Sequence, residues 1–149
     1  MDSADALKPP LPWSSLFGGV MAFNSCIYLL AVLLDDLSIV DITWGVMHII
    51  PNALVAYQRI VTEGQEASPL MQLNLALVAI WGIRLSLHIG LRHKGEDYRY
   101  KLIKGRWAHR PAPVRALCSY LYIFGMQGLF SMVTNAAALH VTQYCGEKS

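Results

Sequence analysis

Four long apolar runs crowd a chain of 149 residues and leave little polar sequence between them. A bilayer crossing takes about 20 predominantly apolar residues, in a range of roughly 17–25. The runs from about Ser14 to Leu34, Leu37 to Tyr57, Leu70 to Leu91 and Val114 to Leu139 each meet that length. One such run alone suits the core helix of a soluble domain. Four do not, because apolar residues make up 54% of the chain and charged residues 15%, against roughly 25% charged in a typical soluble domain. Small domains have a high ratio of surface to volume and need polar residues to cover it. The mean hydropathy of +0.37 agrees. The sequence therefore predicts an all-α, polytopic membrane protein with a single transmembrane domain over 1–149. Its spans are expected at 14–34, 37–57, 70–91 and 114–139. A disordered chain, a collagen-like chain and a coiled coil are excluded.

The third run contains Arg84 and His88 and needs an energy check. Arg at the centre of a span costs about 2.5–3.5 kcal/mol, and each Leu, Ile, Phe or Val returns about 0.3–0.6. With eleven Leu, Ile and Val residues in that run, insertion survives. Orientation follows from the loops. Lys94, Arg99, Lys101, Lys104, Arg106 and Arg110 lie between the third and fourth runs, flanked by Arg92 and Arg115, whereas the other side offers Lys8, Arg59 and Lys148. The positive-inside rule places the basic 93–113 loop on the cytosolic or matrix side, with both termini opposite. The acids at Asp35-Asp36 then share the side of the basic loop. Within that loop, Tyr100, Ile103 and Trp107 fall at helical spacing among cations, which predicts a short interfacial helix. Lys94, Lys101, Lys104, Arg106 and Arg110 are expected to meet anionic lipid head groups. Gly95 suits a left-handed cap ending the third helix.

The N-terminus does not read as a cleavable signal, since Met1 to Leu7 carries Asp2 and Asp5 where a basic region would stand. Pro9, Pro10 and Pro12 predict an extended entry to the first span at Trp13, a suitable interface anchor. Cys26, Cys118 and Cys145 are odd in number and widely spaced, which gives no disulfide framework; two of them fall in apolar runs and read as packing residues. An integral membrane location is expected, in the mitochondrial inner membrane or the endoplasmic reticulum.

Polar residues inside the spans recur at helical spacing. Asp41, Gly45, His48 and Asn52 are four, three and four residues apart, so they share one face of the second span. Trp81, Arg84, His88 and Arg92 share a face of the third, and Gln127, Ser131 and Asn135 a face of the fourth. Ionisable groups at membrane depth turn inward or pair, so the three stripes are expected to meet. An intramembrane cluster of Asp41, His48, Arg84, His88, Gln127 and Asn135 is predicted, with Asp41 against His88 and Arg84 against His48 or a polar ligand. The competing reading is packing glue between helices, to which the small residues Gly18, Gly19, Gly45, Gly82, Gly125 and Gly128 also belong. No HExxH, GxSxG, GxGxxG or phosphate-binding loop occurs, and His93 and His109 have no partners at metal spacing, so no metal is expected. A net charge of +2 gives no case for nucleic acid.

The run Trp81, Arg84-Leu85, His88, Arg92 and Gly95-Glu96-Asp97-Tyr98-Arg99-Tyr100, with Asp41 and Trp44-Gly45 upstream and Gln127-Gly128-Leu129 downstream, resembles the steroid 5-alpha-reductase-like family of integral membrane proteins, in a branch catalogued as a domain of unknown function. The resemblance covers roughly residues 37 to 135. It implies a polytopic helical fold and, in active relatives, hydride transfer from NADPH to a conjugated carbon–carbon double bond while an acid polarises the enone carbonyl. On the matching positions it implies Glu96, Asp97 and Tyr100 as catalytic candidates at a polar mouth, and Arg84, His88, Arg92 and Arg99 as cofactor-binding candidates. Members of that family continue through further helices that carry much of the cofactor site, including an arginine-histidine-proline run. His109-Arg110-Pro111 has a different order and lies in a different loop. The expectation is therefore a reductase-derived, non-catalytic accessory subunit of a larger membrane complex, with lipids and other subunits as partners and no cofactor. The alternative is an NADPH-dependent reductase, or part of one, acting on a steroid- or lipid-like enone.

Overall fold

The computed structural model describes residues 11–144. The acidic Met1–Leu7 segment, Lys8, Pro9-Pro10, Cys145 and Lys148 lie outside them. Among the described residues the chain is helical, with no strand. Helix α1 (Trp13–Leu33) follows an extended Pro12. It ends where Asp35 takes a left-handed φ of 51°. The Asp36 amide then donates to the Ala31 carbonyl at 2.9 Å and the Asp35 amide to Val32 at 3.3 Å, the paired bonds that close a Schellman turn.

The segment expected as one second span is divided. Helix α2 (Ile39–Ile42) and helix α3 (Trp44–Tyr57) meet at Thr43, whose hydroxyl donates back to the Val40 carbonyl at 3.0 Å and competes with the backbone ladder. A π turn over Gln58–Thr62 extends α3. Helix α4 (Pro69–Arg92) begins with Pro69 just inside and the Ser68 hydroxyl capping the Met71 amide, a favourable helix start. It is followed by Gly95 at φ 94°. Helix α5 (Tyr98–Arg106) lies in the basic loop with Asp97 as its N-cap. Helix α6 (Ala112–Ser119), a π turn at Tyr120–Gly125 and helix α7 (Met126–Thr134) run on from one another. After a break at Asn135, helix α8 (Ala136–Tyr144) follows.

Among the described residues, three helical stretches are long and apolar enough to cross a membrane: Trp13–Leu33, Pro69–Arg92 and Ala112–Thr134, with mean hydropathies of 2.0, 1.5 and 1.4. The divided 37–57 segment does not form a single uninterrupted helix of that length.

Two apolar clusters hold the bundle. One, near the α1–α2 turn, joins Ala31, Leu37, Val40, Met47, Ile123 and Phe124 with Tyr100 of α5. The other joins Leu16, Val20, Val55, Met132 and Leu139. Helix α5 thus turns its Tyr100–Ile103 side onto the first cluster. The Gln143 amide donates to the Leu11 carbonyl at 3.0 Å, so the two ends of the described chain lie together. Helices α3 and α4 approach most closely at two glycines. A Cβ on Gly45 would stand 2.0 Å from the Gly82 carbonyl oxygen, and one on Gly82 would stand 2.6 Å from that of Gly45. Cys118 is half-buried, but Cys26, expected as a packing residue, is exposed on α1.

Candidate functional site: a polar mouth and a buried polar ladder

The α1–α2 turn and the segment around α5 each carry acids and bases, and the fold brings them into register. The Asp36 carboxylate accepts from the Ser38 amide at 3.0 Å and the Ser38 hydroxyl at 2.5 Å, and its other oxygen lies 2.8 Å from His93 Nε2. Burial alone would raise the Asp36 carboxyl, but the bonds from Ser38 and His93 outweigh it and hold it below the ordinary range. Lys104 Nζ reaches Asp35 at 2.9 Å and Glu96 at 2.8 Å. Burial opposes its charge, yet these two acids keep its pKa above the ordinary lysine value. Glu96 also accepts from the Leu37 amide at 3.0 Å. The Asp97 carboxylate caps α5 by accepting from the Arg99 amide at 2.8 Å. Hydrogen bonds from Arg99 lower the Asp97 carboxyl, and Asp97 raises the Arg99 guanidinium in turn.

Asp41 is the hub. Its Oδ1 accepts from the Tyr100 hydroxyl at 2.6 Å and from Gln127 Nε2 at 3.4 Å, and its Oδ2 lies 3.2 Å from Arg99 Nη2. Burial, then the hydrogen bond to Asp41, pushes the Tyr100 phenol well above its ordinary value, so it holds its proton at any physiological pH. Two cavities flank this hub. A charged one of about 390 Å³ has Arg92, Lys94 and Arg99 on its wall together with the carboxylates of Asp41 and Asp97, and His88 and His93 beside them. An apolar one of about 400 Å³ is lined by Ile103, Tyr122, Ile123, Met126 and Phe130, with Tyr100, Gln127 and Arg99 as its polar wall. Arg99 borders both.

A second polar system lies deeper, between α3, α4, α7 and α8. His48 Nδ1 lies 2.9 Å from the Trp44 carbonyl and Nε2 lies 2.9 Å from the Thr134 hydroxyl. Nδ1 of a neutral imidazole donates to the carbonyl, and the single proton of the Thr134 hydroxyl is shared between Nε2 and the Phe130 carbonyl 2.8 Å away. Asn52 donates to the His48 carbonyl at 2.9 Å and to Asn135 Oδ1 at 3.1 Å, and accepts from Thr142 at 2.8 Å. Asn135 donates to the same His48 carbonyl at 3.0 Å, and Asn74 donates to Thr142 at 2.8 Å. Ser131, of the fourth-span stripe, is buried and donates to the Gly128 carbonyl of its own helix at 3.0 Å.

The sequence-predicted residues thus divide. Asp41, Glu96, Asp97, Arg99, Tyr100, Lys104 and Gln127 converge on the mouth. His48 and Asn135 belong to the ladder. Arg84, His88 and Arg92 share a face, as their spacing requires, but that face is exposed. Asp41 and His88 line one cavity without bonding; the partner of His88 is Arg92 at 3.2 Å. The expected Arg84–His48 pair does not form, because Trp81 occupies the space beside the imidazole, edge to face at 5.0 Å. Lys94, Lys101, Arg106 and Arg110 are exposed, while Lys104 is engaged by carboxylates and is not a free cation. Among the described residues no group of three His, Cys, Asp or Glu is placed to hold a metal ion.

Several members were missed by sequence reasoning. His93 looked partnerless, but lies against Asp36. Asn24, Ser25 and Tyr28 of α1 fasten the π turn: Asn24 donates to the Phe124 carbonyl at 2.9 Å, Ser25 meets the Tyr120 hydroxyl at 2.8 Å, and Tyr28 donates to the Ala116 carbonyl at 2.8 Å. A π turn offsets the carbonyl ladder, and only a cluster of three polar residues in an apolar run hinted at it. Residues 27–148 match the family described as protein of unknown function (DUF1295). No curated protein and no solved structure matches the chain.

Proposed function

Since the chain belongs to the DUF1295 family, a family of unknown function, we propose that it is an integral membrane protein that serves as a non-catalytic accessory subunit of a larger membrane complex. The observation that carries this reading is that the polar side chains of the Asp41 mouth and of the His48–Asn52–Asn135 ladder are partnered within the bundle. Asp41 has three partners, and His48, Asn52 and Asn135 bond one another or nearby backbone. Between apolar helices such bonds act as glue and fix the register of the bundle. Helix α5 then lies at the membrane surface and closes the mouth as a strap. Exposed Lys94, Lys101, Arg106 and Arg110 face anionic head groups at that surface. The resemblance to steroid 5-alpha-reductase-like proteins supplies the ancestry of the scaffold. Purification in mild detergent tests the proposal. Stoichiometric recovery with other membrane subunits and no retained NADPH is expected; NADPH-dependent reduction of an enone lipid by the isolated chain would overturn it.

One observation favours a second reading, in which the chain is all or part of an NADPH-dependent enone reductase. The Asp41–Tyr100 hydrogen bond stands between an apolar cavity and one walled by both cations and carboxylates. The chemistry of the cationic side chains suits phosphate groups, and Arg92, Lys94 and Arg99 would hold them. NADPH, when bound, supplies the hydride. Tyr100, protonated and bordering the apolar cavity, would donate its hydrogen bond to an enone oxygen in place of Asp41. Under this reading Tyr100→Phe abolishes NADPH-dependent turnover while leaving the protein folded; under the first there is no turnover to lose.

A further inference from the structure

Helix α4 is the least covered of the three membrane-length stretches. Only 11% of its apolar window is buried, against 22% for α1 and 33% for 112–134. Its outer face carries Leu77, Ile80 and Leu87, and in their midst Arg84. Arg84 makes no hydrogen bond or ion pair with any described residue. It lies eight residues before Arg92, hence about 12 Å along the axis from the basic end of the helix. A hydrocarbon core is about 30 Å thick, so the guanidinium stands inside it when α4 crosses. Side chains on a helix lean toward its N-terminus. Here that direction is away from the basic end and its head groups, so Arg84 starts out aimed deeper rather than toward the surface. Intramembrane arginines of this kind face protein or a water-filled cavity and are paired.

From this we infer that the Arg84 face of α4 is an interface for a transmembrane helix from outside residues 11–144, one that carries a carboxylate at the depth of Arg84. Charge complementarity selects that occupant. A second copy of residues 11–144 does not supply it, because α1, α3, α4 and the 112–134 stretch contain no Asp or Glu, and Asp41 in α2 is already engaged by three partners. Arg92, two turns further toward the basic end, adds a second cation along the same seam and donates to His88 at 3.2 Å. The seam is otherwise apolar, as contact with a helix in lipid requires. The inference deepens the accessory-subunit reading by naming the kind of partner and the face it uses.

The test uses the purified full chain in vesicles of uncharged phosphatidylcholine. The probes are labelled leucine-rich transmembrane peptides with one Glu at the depth of Arg84, or Gln at the same position. Energy transfer between chain and peptide is expected to show the Glu peptide binding about tenfold more tightly than its Gln twin. Arg84→Gln should abolish that preference and Arg84→Lys should restore most of it. Because Arg84 has no intramolecular partner, these variants keep the fold, which unchanged helical circular dichroism verifies. Equal binding of the two peptides would overturn the inference, as would a preference that persists in Arg84→Gln. Displacement of the Glu peptide by phosphatidylserine would also overturn it, by assigning the face to lipid. Enone turnover by the isolated chain would remove the accessory reading without touching this measurement. Equal peptide binding would remove the interface and leave that reading standing.

Discussion

Asp41 shows how much one carboxylate can organise. It joins α2 to α5 through Tyr100 and Arg99, and to α7 through Gln127. A hydrogen bond to a charged group contributes about 1.5–3 kcal/mol. A double-mutant cycle of Asp41→Asn and Tyr100→Phe, read by unfolding in detergent, should give a coupling energy in that range. Asp36 gives a pH signature. Its folded-state pKa is depressed, so the unfolded chain binds the proton more readily. The stabilisation is full above the unfolded value near 3.9 and is lost as pH falls through the lower folded value. Unfolding midpoints measured from about pH 6 down to pH 3 should therefore decline with acid, and the decline should be shallower in Asp36→Asn. At this scale the sequence was legible in part. The spacing of Trp81, Arg84, His88 and Arg92 correctly gives a shared face, but periodicity does not say which way a face turns. Gly82 decides it. Its missing side chain lets α4 touch α3 backbone to backbone, and Arg84, two residues on, is rotated by about 200° from that contact.

Among elements, the α3–α4 contact is the tightest joint. A methyl group on Gly45 would meet the Gly82 carbonyl at 2.0 Å, and backbone on both sides cannot yield without parting the helices. Gly45→Ala should therefore cost at least the roughly 1–3 kcal/mol of ordinary overpacking. Gly18→Ala, where nothing lies within 4 Å of the added carbon, should change stability little. Thermal unfolding of the two variants in one detergent compares them directly. The expectation of helices over 14–34, 70–91 and 114–139 matches α1, α4 and the α6–α7 run within a few residues at most ends, because length and hydropathy suffice for such stretches. The 37–57 run obeys the same composition rule yet divides at Thr43. The division depends on a side-chain hydroxyl turning back to a carbonyl, which hydropathy does not register. The π turn at Tyr120–Gly125 escaped for a similar reason: the Asn24 amide that takes up its Phe124 carbonyl comes from a helix a hundred residues away.

For the whole molecule, the polar groups of the mouth and of the His48 ladder close on one another inside while Arg84 and Arg92 face out along α4. The sequence places the Asp35-Asp36 turn beside the basic loop but does not choose its partners, which are His93 for Asp36 and Lys104 for Asp35. Both the accessory reading and the α4 interface require that α4 cross a bilayer, since only there does an unpaired Arg84 demand a partner. The most direct measurement is the sidedness of its two flanks. Single cysteines replace Glu66 and Lys101 in turn, with Cys26, Cys118 and Cys145 changed to serine, and sealed vesicles are treated with a membrane-impermeant maleimide. The account predicts that one position labels at once and the other only after detergent opens the vesicles. Labelling of both from the same side would contradict it.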